Sequence, residues 1–206
     1  MPTPTPTPTP APTPTPAPTV PGQPTLSAAA GVGRVDLSWT TPVNGGSTIT
    51  GYDLYRGLAA NNLGLYQSLG VVTGYVDMAV TGGTTYFYAV AARNVIGAGT
   101  RSVVRSATPT DAPTAPLNVT AVTDSKKGID LAWSPPTSNG GSAITSYRIY
   151  RSTSPGTEIQ VATVAGTVGS YKDSGTIRNR RYYYVIRAVN AIGPGSPSAE
   201  VTAIAR

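Results

Sequence analysis

Apolar and polar residues alternate along much of this chain with a period of two. Val35, Leu37 and Trp39 are separated by Asp36 and Ser38, and Tyr182, Tyr184, Ile186 and Ala188 by Tyr183, Val185 and Arg187. Successive side chains on a strand point to opposite faces, so the pattern predicts strands with one buried face. No segment carries a convincing helical period. Breaks rich in Asn, Gly and Pro recur about every 8 to 12 residues, the spacing expected of short antiparallel strands.

Beyond Gln23 the pattern occurs twice, with a period of about 95 residues. Val35-Asp36-Leu37-Ser38-Trp39 returns as Ile129-Asp130-Leu131-Ala132-Trp133, and Asn44-Gly45-Gly46-Ser47 as Asn139-Gly140-Gly141-Ser142. Tyr52-Asp53-Leu54-Tyr55-Arg56 is answered by Tyr147-Arg148-Ile149-Tyr150-Arg151, and Tyr86-Phe87-Tyr88 by Tyr182-Tyr183-Tyr184. The fold expected is all-β: two tandem immunoglobulin-like sandwiches of about seven strands each. Residues 1–21 alternate Pro with Thr or Ala and hold no charged or aromatic side chain. Such a stretch has no apolar surface to bury, so it reads as a disordered or polyproline II tether with nothing to add to a core. The boundaries that follow are a tether over 1–21, a first domain over 22–109, a Pro-rich linker over 110–116 and a second domain over 117–206.

Both copies resemble the fibronectin type III family. The resemblance is carried by the strand with Trp39 or Trp133, the strand with Tyr52-x-Leu54 or Tyr147-x-Ile149, and the late Tyr-x-Tyr strand that ends in Asn and a Gly-x-Gly turn. It implies a core built on Trp39, Trp133, Tyr52, Tyr147, Tyr86 and Tyr182, the last two forming a corner in which the Tyr hydroxyl bonds upstream backbone. Val80 to Tyr86 looks like the turn into that corner. Ile177 to Tyr182 reads as a departure, one residue shorter and without Gly. The family's adhesive Arg-Gly-Asp tripeptide is missing from Ile96-Gly97-Ala98-Gly99-Thr100 and from Ile192-Gly193-Pro194-Gly195-Ser196. A Pro-Thr tether joined to such modules looks like the non-catalytic regions of secreted bacterial polysaccharide-degrading enzymes and surface proteins.

Composition narrows the chemistry. With no Cys and no His, disulfides, thiol nucleophiles, common zinc sites and the commonest general base are all excluded. Charged residues make up 12% of the chain, and the first copy offers only Asp36, Asp53 and Asp77 as carboxylates. A glycosidase needs two carboxylates facing one another across a pocket, so no catalytic residue and no cofactor or metal is expected. Alternation points Tyr55, Phe87, Tyr150 and Tyr183 outward; Tyr150 and Tyr183 are the candidate sugar platform. Arg178, Arg180 and Arg181, with Arg187 further along the same strand, form a candidate basic patch for a polyanion. Asn118-Val119-Thr120 matches the N-glycosylation pattern, which is too common to weigh.

The function expected is a non-catalytic extracellular spacer within a larger secreted or surface protein. The alternative is an accessory module that binds polysaccharide or cell-wall polymer. Partners expected are covalently linked neighbouring domains and such a polymer, with no nucleic acid, in a monomer. No run approaches the roughly 20 apolar residues of a membrane span, so a soluble chain is expected. Extracellular or cell-surface localisation follows from the resemblance, although Met1 leads straight into Pro-Thr repeats rather than a signal peptide.

Overall fold

Alternation becomes strand wherever one face can be buried. In the computed structural model, which describes residues 16–125 and 127–206, fourteen strands form four sheets. The first copy supplies β1 (Leu26–Ala30), β2 (Val35–Trp39), β3 (Gly51–Ala59), β4 (Asn62–Leu69), β5 (Gly74–Asp77), β6 (Tyr86–Arg93) and β7 (Arg105–Ala107). The second supplies β8 (Leu117–Thr123), β9 (Ile129–Ser134), β10 (Ser146–Ser152), β11 (Ile159–Ala165), β12 (Ser170–Asp173), β13 (Arg181–Val189) and β14 (Val201–Ile204). The sheet orders are β1-β2-β5 with β4-β3-β6-β7, and β8-β9-β12 with β11-β10-β13-β14. Every strand pairing is antiparallel. No helix occurs among the described residues, and the expected pair of seven-stranded sandwiches is the observed architecture.

Each sandwich closes over aromatic side chains from both sheets. Trp39 packs against Tyr52 with ring centroids 5.6 Å apart, and Trp133 against Tyr147 at 5.4 Å. Val35, Leu37, Leu54, Tyr88 and Val90 complete the first core; Ile129, Leu131, Ile149, Tyr184 and Ile186 complete the second. Full burial of side chains of this size contributes roughly 1.5–3 kcal/mol each, which makes these positions the main source of stability. Tyr86 and Tyr182 are buried as well.

Both copies form the tyrosine corner. The Thr81 amide donates to the Tyr86 hydroxyl at 3.1 Å, and the Ile177 amide to that of Tyr182 at 2.9 Å, five residues upstream in each case. The shortening expected in the second copy is therefore not present: Thr176, not Ile177, stands where the first copy has Val80. Nor does the missing Gly break the turn. Three residues before the corner Tyr, Gly83 has φ +82° and Asn179 has φ +61°. Asn enters the left-handed region more readily than other side chains, so it can replace Gly there.

The segments entering the two modules are held alike. Thr19 N donates to Gly45 O at 2.8 Å, and Asp111 N to Gly140 O at 2.7 Å. Asn94, at the end of β6, spends its side-chain amide on Thr19 O (2.7 Å) and Asn44 O (3.0 Å). Asn190, at the end of β13, does the same with Asp111 O (2.7 Å) and Asn139 O (2.8 Å). Each Asn Oδ1 also accepts from two amides of its own turn, Ile96 and Gly97 or Ile192 and Gly193. Pro21 and Pro113 are buried in equivalent places. The expectation that residues 1–21 add nothing to a core is thus corrected for Thr19 and Pro21. The part of that tether spanning residues 1–15 lies outside the described residues.

The linker is tied to the first module too. Thr110 bonds Gly31 O and Gly33 N at 3.1 and 2.9 Å, and the Gly82 amide donates to Asp111 Oδ2 at 2.9 Å. Beside it, the backbones of Gly83 and Gly141 come so close that a Cβ on Gly141 would lie 2.7 Å from Gly83 N. Only glycine permits that approach.

Candidate functional site

The outward face of β10 and β13 carries most of the side chains expected to bind. In register, Arg148 lies opposite Arg187, Tyr150 opposite Val185 and Ser152 opposite Tyr183. Two arginines directly across a ladder repel one another. The first copy has Asp53 opposite Ala91 at this level, with Asp53 engaged by Arg93 (3.2 Å) and Ser68 (2.7 Å). One position in the repeat is therefore neutralised in the first module and cationic in the second.

The guanidinium of Arg187 stands 5.8 Å from the Tyr150 ring centroid and donates to Gly195 O at 3.3 Å. Tyr150 and Arg187 line a shallow groove of about 420 Å³ with Val185, Pro197, Glu158 and Glu200. In the first module the equivalent ring is covered: Arg101 lies 3.6 Å over Tyr55. The two modules differ here in how closely an arginine approaches the ring, Arg101 over Tyr55 being nearer than Arg187 to Tyr150. Tyr183 and Tyr150 are half-buried on this face.

The arginine cluster is divided. Arg181 joins the outward face at the start of β13, opposite Ile204. Arg180 lines a separate groove of about 430 Å³ with Arg151, Ile177 and Tyr182. Arg178 lines a third, at the end of the second module, with Lys127, Thr176 and Arg206. Residues adjacent in sequence diverge here because the turn into the corner redirects each side chain.

Two buried polar networks, one per module, are what sequence reasoning missed. Asp77 is 0% exposed. Its Oδ2 accepts from Arg56 Nη1 (2.8 Å) and the Tyr88 hydroxyl (2.9 Å); its Oδ1 accepts from the Tyr66 hydroxyl (2.9 Å) and the Ala79 amide (3.0 Å). The Arg56 guanidinium also lies 3.8 Å over the Tyr66 ring. In the second module Asp173 accepts from Arg151 Nη1 (3.0 and 2.9 Å), Tyr184 (2.8 Å) and the Gly175 amide (3.0 Å). Burial by itself would push the Asp77 carboxyl up, but the bonds from Arg56, Tyr88, Tyr66 and Ala79 outweigh it and hold the group below its usual range. Burial and the bond to Asp77 push the Tyr66 phenol up to about 12. The signal was present in the recurrence of Arg56 with Arg151 and of Asp77 with Asp173.

None of these groups is set up for catalysis. Asp77, a buried carboxylate with four donors and a depressed pKa, is neither a nucleophile open to substrate nor a general acid, and Asp173 is buried behind its own donors. Glu158 and Glu200 share the Gly156 amide at 3.0 and 2.9 Å. Burial alone would raise the Glu158 carboxyl, yet its hydrogen bonds, among them one with the Glu200 carboxyl and one from the Gly156 amide, lower it. Among the described residues no group of three His, Cys, Asp or Glu could hold a metal, and no helix is long and apolar enough to cross a membrane.

Paired antiparallel sheets, a tyrosine corner and a clasped entry segment in each copy define an all-β protein of immunoglobulin-like modules. Residues 111–204 match the fibronectin type III domain and belong to that family; the first copy repeats their strand order and their corner. The chain is similar to Exoglucanase B of Cellulomonas fimi, 30% identical over 199 residues that span 90% of this chain and 17% of that protein. It is similar to Chitinase A1 of Niallia circulans, 29% identical over 196 residues, 90% of this chain and 26% of that protein. Endoglucanase B of Cellulomonas fimi is 34% identical over 178 residues, 81% of this chain and 16% of that protein. The chain therefore spans about a quarter or less of each of these relatives.

Proposed function

We propose that the chain is a non-catalytic spacer that holds a neighbouring domain of an extracellular, polysaccharide-degrading or cell-surface protein at a set distance. Its two modules, 22–109 and 117–206, are joined by the 110–116 linker, and each is entered through Thr19 or Asp111. One observation carries this reading: Asp111 bonds Gly82 of the first module through its side chain and Gly140 and Asn190 of the second through its backbone. A linker fastened on both sides converts two small domains into an extended strut. The resemblance to segments of an exoglucanase, a chitinase and an endoglucanase supports the same setting.

Small-angle X-ray scattering on residues 16–206 tests it. A single compact globule of this size has a radius of gyration of roughly 16 Å, whereas two end-to-end modules reach about 21 Å. The expected value is above about 20 Å, and one near 16 Å removes the spacer reading.

The cationic and aromatic face of β10 and β13 favours a second reading, an accessory site for a polysaccharide or cell-wall polymer. It predicts retention on insoluble polysaccharide that falls when Tyr150→Ala and Tyr183→Ala are combined, since stacking needs open rings. Equal retention of the native chain and the double variant eliminates the platform.

A further inference from the structure

The two modules fill the place beside the buried carboxylate differently. Their edge strands β4 and β11 correspond residue by residue. Leu54 pairs with Gln67 and Tyr55 with Leu65, which leaves Tyr66 as the extra residue of a bulge. Ile149 pairs with Ala162 and Tyr150 with Gln160, which leaves Val161 in that position. The bulge residue packs on the core in both modules. Tyr66 sets its ring 3.8 Å from the Arg56 guanidinium and its hydroxyl 2.9 Å from Asp77 Oδ1. Val161, beside the equivalent Arg151 and Asp173, has neither ring nor hydroxyl to offer.

The surroundings of Arg151 and Asp173 register the difference. Arg56 lies over two rings, Tyr66 and, at 5.4 Å, Tyr86; among the described residues Arg151 keeps only the counterpart of the second, Tyr182 at 5.2 Å. Asp173 Oδ1 takes Arg151 Nη1 at 3.0 Å where Asp77 Oδ1 takes a phenol, so that one nitrogen serves both oxygens of Asp173. The Asp77 side chain is 0% exposed and that of Asp173 4%. Gly175 stands where the first module has Ala79, each donating its amide to the carboxylate. A Cβ on Gly175 would lie 3.4 Å from Asp173 Oδ1 and 3.5 Å from Arg151 Nη1, so the glycine lowers the wall in front of both groups.

Where the first module has the Tyr66 ring, the second has a groove of about 430 Å³ over Arg151 and Gly175, walled by Ile159, Val161 and Ile177. Ile159 and Ile177 are both exposed. Apolar walls around a few convergent polar groups, in a volume of roughly 300–1,000 Å³, are the usual make-up of a small-molecule site. The difference arises within one sheet, since the first module fills the same place with a side chain of its own edge strand.

We infer that this groove is a binding site for a single phenol ring, seated as Tyr66 is seated in the first module. The negative face of the ring lies against the Arg151 guanidinium, and the hydroxyl donates to Asp173 Oδ1, an ionised acceptor. A phenol is favoured over a sugar because the walls are aliphatic and the floor presents the same two groups that Tyr66 uses. An anion would set its charge against Asp173. The inference is independent of the spacer reading, which scattering can refute without touching this groove, and of the face that carries Tyr150 and Tyr183.

The test is a two-dimensional amide NMR titration of the full chain with para-cresol. Saturable shifts are expected at Val161, Gly175 and Ile177. In para-methylanisole a methyl ether replaces the hydroxyl; it keeps the ring, cannot donate, and should bind about tenfold more weakly, the worth of a hydrogen bond to a charged acceptor. Val161→Tyr, which installs the first module's residue, should abolish the shifts. Tyr66→Val makes the reciprocal change and should bring para-cresol shifts to Arg56 and Ala79 that the native chain does not give. If one variant fails to fold, the other decides. N-acetyltyrosinamide separates the two sources of such a ring: binding tighter than para-cresol assigns it to a tyrosine of another polypeptide, weaker binding to a free phenol. The absence of saturable shifts, equal binding of para-methylanisole, shifts that persist in Val161→Tyr, or tighter binding of cellobiose at the same amides would each overturn the proposal.

Discussion

Replacing Asp77 with Ala is expected to destabilise the first module by about 3–5 kcal/mol, the usual cost of removing one partner from a buried ion pair. The loss is large because four donors converge on one carboxylate. Without it the Arg56 guanidinium, the Tyr66 and Tyr88 hydroxyls and the Ala79 amide lose their shared acceptor, and the guanidinium stays partly buried next to two phenols. Asp173→Ala should act on the second module in the same way. Urea unfolding of each variant measures the effect; a loss under about 1 kcal/mol would show that water replaces the carboxylate at little cost.

The depressed pKa of Asp77 gives the same network a pH signature. A carboxyl whose native pKa lies below its unfolded value of about 3.9 contributes stability above that value and loses it as pH falls through the native pKa. The Tyr66 phenol, pushed up to about 12, works from the other side. It adds stability fully below its unfolded pKa of about 10 and loses it as pH rises towards 12. The first module should therefore keep a plateau between about pH 5 and 9 and weaken outside it, and Asp77→Ala should flatten the acid limb.

The second large effect is expected at Gly140. Its φ is +70°, and a Cβ there would lie 2.0 Å from Asp111 O. Gly140→Ala therefore both strains the backbone and evicts the linker. The left-handed conformation costs roughly 1–2 kcal/mol. Withdrawal of Asp111 O leaves Asn190 Nδ2 short of one acceptor in a buried setting, for about 1–3 kcal/mol more. A total of about 2–5 kcal/mol is expected for the second module, read by denaturant unfolding, together with faster hydrogen exchange at the Asp111 amide. Gly45→Ala, whose Cβ would lie 2.4 Å from Thr19 O, should weaken the first module likewise. If exchange at Asp111 is unchanged, the linker is held by something other than this loop.

The strands were legible because a half-buried strand writes its inward face into every second residue, as at Val35, Leu37 and Trp39. The fold followed because aromatic positions recur in both copies and a shared core requires them. What stayed hidden depends on contacts between the sheets. Arg56 and Asp77 lie 21 residues apart on different sheets, and alternation says which face each occupies but not that they meet. The second corner was misaligned because Thr176 stands where Val80 does, and a polar residue disguises an equivalence that hydrogen bonds reveal. In the linker the Pro spacing suggests a free rod, whereas the backbone groups of Thr110, Asp111 and Thr114 between the prolines carry the attachment. The candidate site was half legible: β13 does face Tyr183 and Arg187 outward, but adjacency in sequence joined Arg178, Arg180 and Arg181, which the turn separates.

The double fastening of residues 109–111 also bears on how long such a chain would survive among extracellular proteases. Proteolytic nicking concentrates where backbone is exposed and unbonded. Pro109 O, Thr110 N and O, and Asp111 N and O are all engaged, and Pro109 and Pro113 are buried. A protease must first break contacts with both modules before it can thread this strand into its active site. Within this joint, residues 109–111 are held from both sides and are a poor place for a protease to cut.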